Sequence, residues 1–294
     1  MTEAWRVSLH GGHSGEFCDH AEGALREVLD AAVASDFAIY GVSEHAPRDE
    51  DRFLYAHERE LGWTVEKIQA DFREYAAAVR RLVSEYKPRL TILCGMEAEV
   101  VPSSSYDKRM LDMKNENHLD YMVGSVHYVD EIQIDGDIED FRRAVQRFGD
   151  VRRLAAAYYE AVTEMVERLK PEVVGHLDLI KKNVQRERWD ELLDADVARS
   201  LRQALETIQK TGGILDLNTA GWRKGLAEPY PGPEVVKMAA EMGIPFCFGD
   251  DSHGPKLVGY GLDRARNYLL GCDVTEITRM NRKDSKIIRE TVSL

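Results

Sequence analysis

Cysteine is scarce in this chain. Four thiols, Cys18, Cys94, Cys247 and Cys272, are scattered over 294 residues with no C-x-x-C spacing. That gives no sign of a disulfide framework and predicts reduced thiols in a cytoplasmic protein. Positive charge is in deficit as well: 39 basic against 52 acidic side chains leave a net charge of −13. Such a balance argues against a dedicated nucleic-acid binder, whose binding face is basic. It does not exclude a small phosphorylated substrate, because a pocket can be locally positive on an acidic protein. No apolar run approaches the roughly 20 residues that span a bilayer, so no membrane role is expected. The stretch from Met1 to Leu9 reads as too short and too polar for a secretory signal. No glycine-rich phosphate loop opens a helix, and neither a Ser-His-Asp nor a Cys-x5-Arg nucleophile pattern is visible.

What is present is enough apolar residue, 44%, to bury a large core. Leu25, Val28, Leu29, Ala32 and Val33 follow the spacing of one buried helix face. So do Ile68, Phe72, Tyr75, Ala76, Val79, Leu82, Val83 and Tyr86, and again Leu154, Ala157, Tyr158, Ala161, Val162, Met165, Val166 and Leu169. Further helices are expected around 195–210, 233–243 and 261–270. Between these lie the short apolar runs WRVSL, FAIYGVS, LTILCG, LDYMVGSV, EVVG, GILDLN and IPFCFG. Each has strand length, and most are rich in β-branched or aromatic residues. Strands flanked by helices pair in parallel and are buried on both faces. The alternation predicts a closed or nearly closed β/α barrel, with an open doubly wound sheet as the alternative. The whole chain, residues 1–294, reads as one domain, with 277–294 as a terminal tail or helix. A charged irregular stretch from Glu44 to Gly62 reads either as a functional lid or as surface decoration.

The histidines are not randomly placed. His10, His13 and His20 follow the first strand; His45 ends the second, beside Glu44. Glu97 ends the third, His127 follows the fourth, His176 the fifth, and Asp251 and His253 the seventh. Only His57 and His118 fall elsewhere, and these read as solvated loop residues. In a β/α barrel the C-terminal strand ends converge on one rim, where barrel enzymes build their sites. Imidazole nitrogen and carboxylate oxygen are ligands of divalent zinc, iron and manganese. So many donors exceed what one tetrahedral ion takes, which suggests two or three ions sharing a carboxylate. Without metal the same imidazoles repel when protonated and cost desolvation when buried. Cys18 and Cys247, near these donors, read as small buried thiols.

Taken together, FCDHAEG, GVSEHAP, GSVHYVD, VVGHLDLIKK, LDLNTAGWRK and GDDSHGP resemble the motifs of the polymerase and histidinol phosphatase (PHP) family, closest to its histidinol-phosphatase branch. The resemblance runs from about Val7 to about Asn267. It implies a distorted (β/α)7 TIM-like barrel with up to three metals at the C-terminal rim. It assigns the metal ligands to His10, His13, His20, His45, Glu97, His127, His176, Asp251 and His253, with Glu97 bridging. Four features depart from the family pattern. The opening H-x-H is H-G-G-H here, the spacing from His13 to His20 is one residue longer, Glu44 stands where aspartate is common, and Asp250 adds a carboxylate beside Asp251. Two glycines can form a bulge that restores both imidazole directions.

The chemistry this implies is phosphomonoester hydrolysis. A metal cluster lowers the pKa of bound water from about 15.7 to about 7, and the resulting hydroxide attacks phosphorus in line. The catalytic set is expected to be Glu97, Asp251, His253 and Arg223, with Arg223 and Lys224 as the best placed cations for the phosphoryl group and Lys181 and Lys182 second. A metal-bound water, Glu44 or His253 would protonate the leaving oxygen. The substrate implied is L-histidinol phosphate, whose ammonium and imidazole would suit an acidic rim of Glu44, Asp49, Glu50, Asp51 and Glu99. The alternatives are a PHP phosphoesterase acting on nucleotides or nucleic-acid ends, and a non-catalytic metal-binding domain. A metal amidohydrolase would want a carboxylated lysine or a different histidine spacing.

Overall fold

The computed structural model describes residues 3–284 and 286–294. Its strands are β1 (Val7–Ser8), β2 (Ile39–His45), β3 (Thr91–Ala98), β4 (Tyr121–Gly124), β5 (Tyr128–Val129), β6 (Ile132–Gln133), β7 (Val173–Val174), β8 (Ile214–Asn218), β9 (Phe246–Gly249), β10 (Glu276–Lys283) and β11 (Lys286–Ser293). Seven of them form one sheet in the order β1-β2-β3-β4-β7-β8-β9, parallel throughout. The ends of that sheet meet. Leu9 N donates to Phe248 O at 2.8 Å, and Asp251 N to His10 O at 2.9 Å. The sheet is therefore a near-closed barrel, and the open doubly wound alternative is set aside.

Parallel strands buried on both faces need helices outside them, and the apolar stripes supply these. Helix Val65–Tyr86 buries Ile68, Phe72, Tyr75, Ala76, Val79, Leu82 and Tyr86, and Thr64 caps its start by accepting from Lys67 N. Helix Val151–Leu169 is capped by Asp150 and buries Leu154, Tyr158, Val162, Met165, Val166 and Leu169 of the stripe. Helix Ala195–Thr211 is capped by Asp194 and stops at Gly212, which has φ 75°. A side-chain oxygen at each start satisfies an amide that the helix itself leaves unpaired.

The chain end differs from expectation. The described residues between 277 and 294 form neither a helix nor a frayed tail; β10 and β11 pair antiparallel from Glu276↔Ser293 to Lys283↔Lys286. The segment is polar because most of the hairpin is surface, with Ile277 and Met280 turned into the core. Arg279 donates to Ala4 O at 3.0 Å, Arg282 to Asp120 and Arg289 to Gly212 O. Those partners all precede barrel strands, so the hairpin covers the rim opposite the strand C-termini.

The charged stretch after β2 is also ordered. It holds a 3-10 turn, Asp51–Phe53, and a short helix, Ala56–Glu60. Residues Arg52 to His57, with Arg59, line the cavity over the strand C-termini, which favours the lid reading over decoration. His57 lies on that helix rather than in a loop.

Candidate metal centre

Register brings the first two candidate ligands together. In the β2–β3 ladder His45 is the partner of Glu97, and His45 Nδ1 lies 3.0 Å from Glu97 Oε2. From across the barrel, His10 Nε2, His176 Nε2 and His127 Nε2 approach the other oxygen, Oε1, at 3.2, 2.9 and 3.3 Å. His13 Nε2 stands 4.0 Å from Glu97 Oε2 and 3.8 Å from Asp251 Oδ1. His253 Nε2 and His20 Nε2 are 3.1 Å apart. His10, His13, His45, His127 and His176 thus stand within 4.0 Å of one carboxylate, and Asp251 and His253 join the set through His13.

The H-G-G-H insertion is accommodated by its glycines. Gly12 has φ +79° and Gly11 +153°; a Cβ would sit 2.6 Å from Val42 Cγ1 on the first and 2.1 Å from Asp250 Oδ1 on the second. Neither position admits a larger residue without displacement. The bulge turns both His10 and His13 inward, fully buried.

A second layer holds the imidazoles. His10 Nδ1 donates to Asp216 Oδ2 at 2.7 Å, His13 Nδ1 to Glu44 Oε1 at 2.9 Å and His127 Nδ1 to Glu99 Oε1 at 2.6 Å. Glu99 Oε1 accepts from the Tyr55 hydroxyl at 3.3 Å. Each carboxylate fixes the tautomer that leaves Nε2 unprotonated and facing the centre. Two of those inward nitrogens, on His10 and His13, are left without partners. His10 Nε2, His13 Nε2 and both nitrogens of His45 are buried and make no hydrogen bond. Buried polar atoms are rarely orphaned, and nitrogen lone pairs aimed at a shared carboxylate are what a divalent cation satisfies. His10, Glu97 and His176 place one donor each within 4.8 Å of one another, as do His10, His13 and Asp251. The donors present therefore fit divalent metal.

The electrostatics follow. Burial raises the Glu97 carboxyl, but His10 and His127 outweigh it and hold the group well below its usual range. Burial likewise opposes ionisation of Asp251, and Lys224, His253 and His10 overcome it. Burial lowers His10 and His127, yet the carboxylates around them (Glu97 and Asp216; Glu99 and Glu97) push both well above 6.5. His45 and His253 go the other way, lowered by burial and by His13. Burial and Glu44 push the Cys18 thiol up.

Arg223 lines the cavity together with Lys182 and Lys224, and its guanidinium is anchored by donating to Asp250 O at 3.2 Å and Asp251 O at 2.7 Å. Two expectations are corrected. Glu44 is no candidate acid, since it is buried and bonded to His13 and to the amide of Ser14, and it is held below its usual range mainly by His13 against burial. The acidic rim also lies elsewhere. Asp49 pairs with Arg109 and Glu50 with Arg52, whereas the carboxylates lining the cavity beside the ligands are Asp19, Glu131, Asp135, Asp137 and Asp140. Lys181 is buried in a network with Asp178 and Glu228.

Asp216 escaped sequence reasoning, although an aspartate inside the apolar run GILDLN was a visible anomaly. Asp250 turns away from the centre, accepting from the Tyr40 hydroxyl at 3.0 Å and Gly259 N at 2.7 Å. The cavity over the ligands measures about 700 Å³, which is in the range of small-molecule sites.

Barrel and rim together define a metal-binding β/α-barrel hydrolase. The PHP domain profile matches residues 9–220. The chain belongs to the PHP family. It is 33% identical over 284 residues to a Schizosaccharomyces pombe protein named "Probable histidinol-phosphatase", covering 94% of this chain and 90% of that protein. It is 30% identical over 298 residues to the histidinol-phosphatase of Saccharomyces cerevisiae, covering 89% and 87%. The fold is shared with the histidinol phosphate phosphatase of Lactococcus lactis, solved with zinc, L-histidinol and phosphate (TM-score 0.70, 17% identical, covering 97% of this chain and 99% of that one). No described helix is long and apolar enough to cross a membrane.

Proposed function

We propose that this chain hydrolyses L-histidinol phosphate to L-histidinol and inorganic phosphate in the cytoplasm, as one PHP unit spanning residues 1–294. Two or three divalent ions, zinc, iron or manganese, would be held by His10, His13, His20, His45, Glu97, His127, His176, Asp251 and His253. The observation that carries the reading is the set of buried, unpartnered imidazole nitrogens facing Glu97 under a cavity of about 700 Å³. The names of the S. pombe and S. cerevisiae relatives support the substrate, as does the L. lactis protein that holds zinc, L-histidinol and phosphate.

When bound, such ions would activate water and neutralise charge on a phosphoryl group. The chain's own residues do the rest. Glu97 presents both oxygens to opposite sides of the centre, which suits a bridging role. Asp216, Glu44 and Glu99 keep the ligand imidazoles oriented. Lys224 Nζ, 3.7 Å from Asp251 Oδ2, and Lys182, held by the Asp135 carbonyl, set positive charge where phosphoryl oxygens gain negative charge. Asp135 Oδ1 is buried and unpaired; it offers a carboxylate to the substrate's ammonium or imidazole. Arg223 keeps the Asp250–Asp251 backbone in place.

The test is release of inorganic phosphate from L-histidinol phosphate, nucleoside monophosphates and DNA 3′-phosphate ends, with manganese, zinc or iron supplied. Turnover of L-histidinol phosphate well above the other esters, abolished by chelation, is expected. An intact L-histidinol phosphate beside rapid nucleotide turnover would overturn the substrate assignment.

A further inference from the structure

The resemblance assigns nine ligands and leaves out a tenth donor that the structure puts beside them. Cys18 is buried, 5% exposed. Its Sγ and one ring nitrogen each of His13, His45 and His253 lie within 4.8 Å of one another. Three of these four side chains stack, with His13 ring centroids 4.4 Å from His45 and 4.3 Å from His253. The set is more than a lone thiol near a site, because it includes an independent unmet demand: His13 is fully buried and its Nε2 has no hydrogen-bond partner.

His20, assigned to this side of the centre, is placed differently. Its side chain is 41% exposed, and its Nδ1 is taken by Asp19 Oδ1 at 2.8 Å. The Cys18 sulfur approaches that same nitrogen at 3.3 Å, so the thiol lies between the exposed histidine and the buried ones.

We propose that Cys18 is a thiolate ligand of the ion held by His13, His45 and His253. The inference rests on the metal-centre reading and deepens it by naming a donor and a metal preference. Three imidazoles and one thiolate are a zinc donor set, with donor–donor separations of roughly 3.3–3.7 Å when Zn–N is about 2.0–2.1 Å and Zn–S about 2.3 Å, and expansion to five-coordination leaves room for Glu97 Oε2, 3.0 Å from His45 Nδ1, as the shared oxygen. The four atoms reach that geometry by modest inward movement. The Cys18 Sγ–H bond breaks on binding, its proton passes to solvent, and the sulfur lone pair forms the new bond. Soft thiolate favours zinc over manganese, so this position selects zinc while the oxygen- and nitrogen-lined side around Glu97 and Asp251 does not. Among the described residues, no other cysteine falls in a group of metal-capable donors.

Cobalt(II) substitution tests this directly. The stripped protein is titrated with cobalt and its absorption spectrum followed. Visible ligand-field bands report that cobalt is bound; an intense near-ultraviolet sulfur-to-cobalt band reports a thiolate ligand. The wild type is expected to show both. Cys18→Ser should keep the ligand-field bands, lose the sulfur band and lower zinc affinity about tenfold or more. The wild-type spectrum decides even if the variant does not fold, because the other three thiols are outside the donor groups. Ligand-field bands without a sulfur band would overturn the Cys18 assignment and leave the metal centre standing. Failure to bind cobalt at all would overturn both.

Discussion

The two halves of the rim are built differently. On the inner side, His10, His127 and His176 surround Glu97 Oε1, and Asp216 and Glu99 stand behind two of the three imidazoles. On the outer side, His13, His20, His45 and His253 pack ring against ring, with Glu44 and Asp19 as the nearby carboxylates. The rings with a carboxylate behind them, His10, His127 and the outer His13, are pushed up against burial, whereas His45, His253 and the inner His176 are pushed down by burial and neighbouring imidazoles. The difference teaches that the same ligand type can be pre-charged or pre-neutral depending on the layer behind it. The outer side is also nearer solvent, with the His20 side chain 41% exposed.

The largest effect that would test this contrast is at the residue both halves share. Glu97→Ala should cost at least about 10²–10³-fold in phosphate release and lower metal content on both sides, measured by elemental analysis. A variant retaining full metal content would mean that the two halves do not meet at Glu97. Next comes Asp216→Asn, which keeps the side chain's size but removes the charge behind His10. A loss of about 10–100-fold in metal affinity or turnover is expected, read by competition with a chromophoric chelator. His253→Ala should remove one equivalent of metal from the outer side and leave inner occupancy unchanged; equal loss from both would erase the distinction.

The smallest effect is on pH dependence, and its sign follows from the directions above. In the metal-free protein His10 and His127 titrate well above 6.5, so near neutrality they still hold protons that an incoming ion must displace. Inner-site affinity should therefore climb as pH rises through 6.5 and beyond, with proton release on binding. His45 and His253 titrate below 6.5 and are already neutral at pH 7, so they add nothing to that slope. Zinc calorimetry from pH 6.5 to 8.5, done in buffers of different ionisation enthalpy, separates wild type from His253→Ala. A slope that disappears with His253 would reverse the assignment.

Much of this architecture was legible in the chain because the barrel converts strand order into proximity. An acidic or imidazole residue at the end of each apolar run is a local signal, and the fold gathers those ends on one rim. The second layer was less legible. Asp216 points inward from the middle of β8, and only register against His10 shows what it does. Glu44 and Glu99 read from the sequence as part of a substrate-facing acidic rim, yet each is buried behind a histidine. Arg223 was correctly placed past the LDLN strand, but the direction of its guanidinium depends on the Asp250–Asp251 backbone, which spacing does not reveal. The C-terminal hairpin was missed because polar composition hid its β-branched residues, Ile277, Thr278, Ile287, Ile288, Thr291 and Val292, and because it packs on the rim away from the site.

The most direct measurement of the central claim is anomalous diffraction at the zinc edge from crystals of the zinc-loaded protein. The account predicts peaks on both sides of Glu97, one within coordination distance of His10 and the other of His45, with Asp251 in reach. Anomalous peaks elsewhere on the molecule, with none touching Glu97, would contradict it.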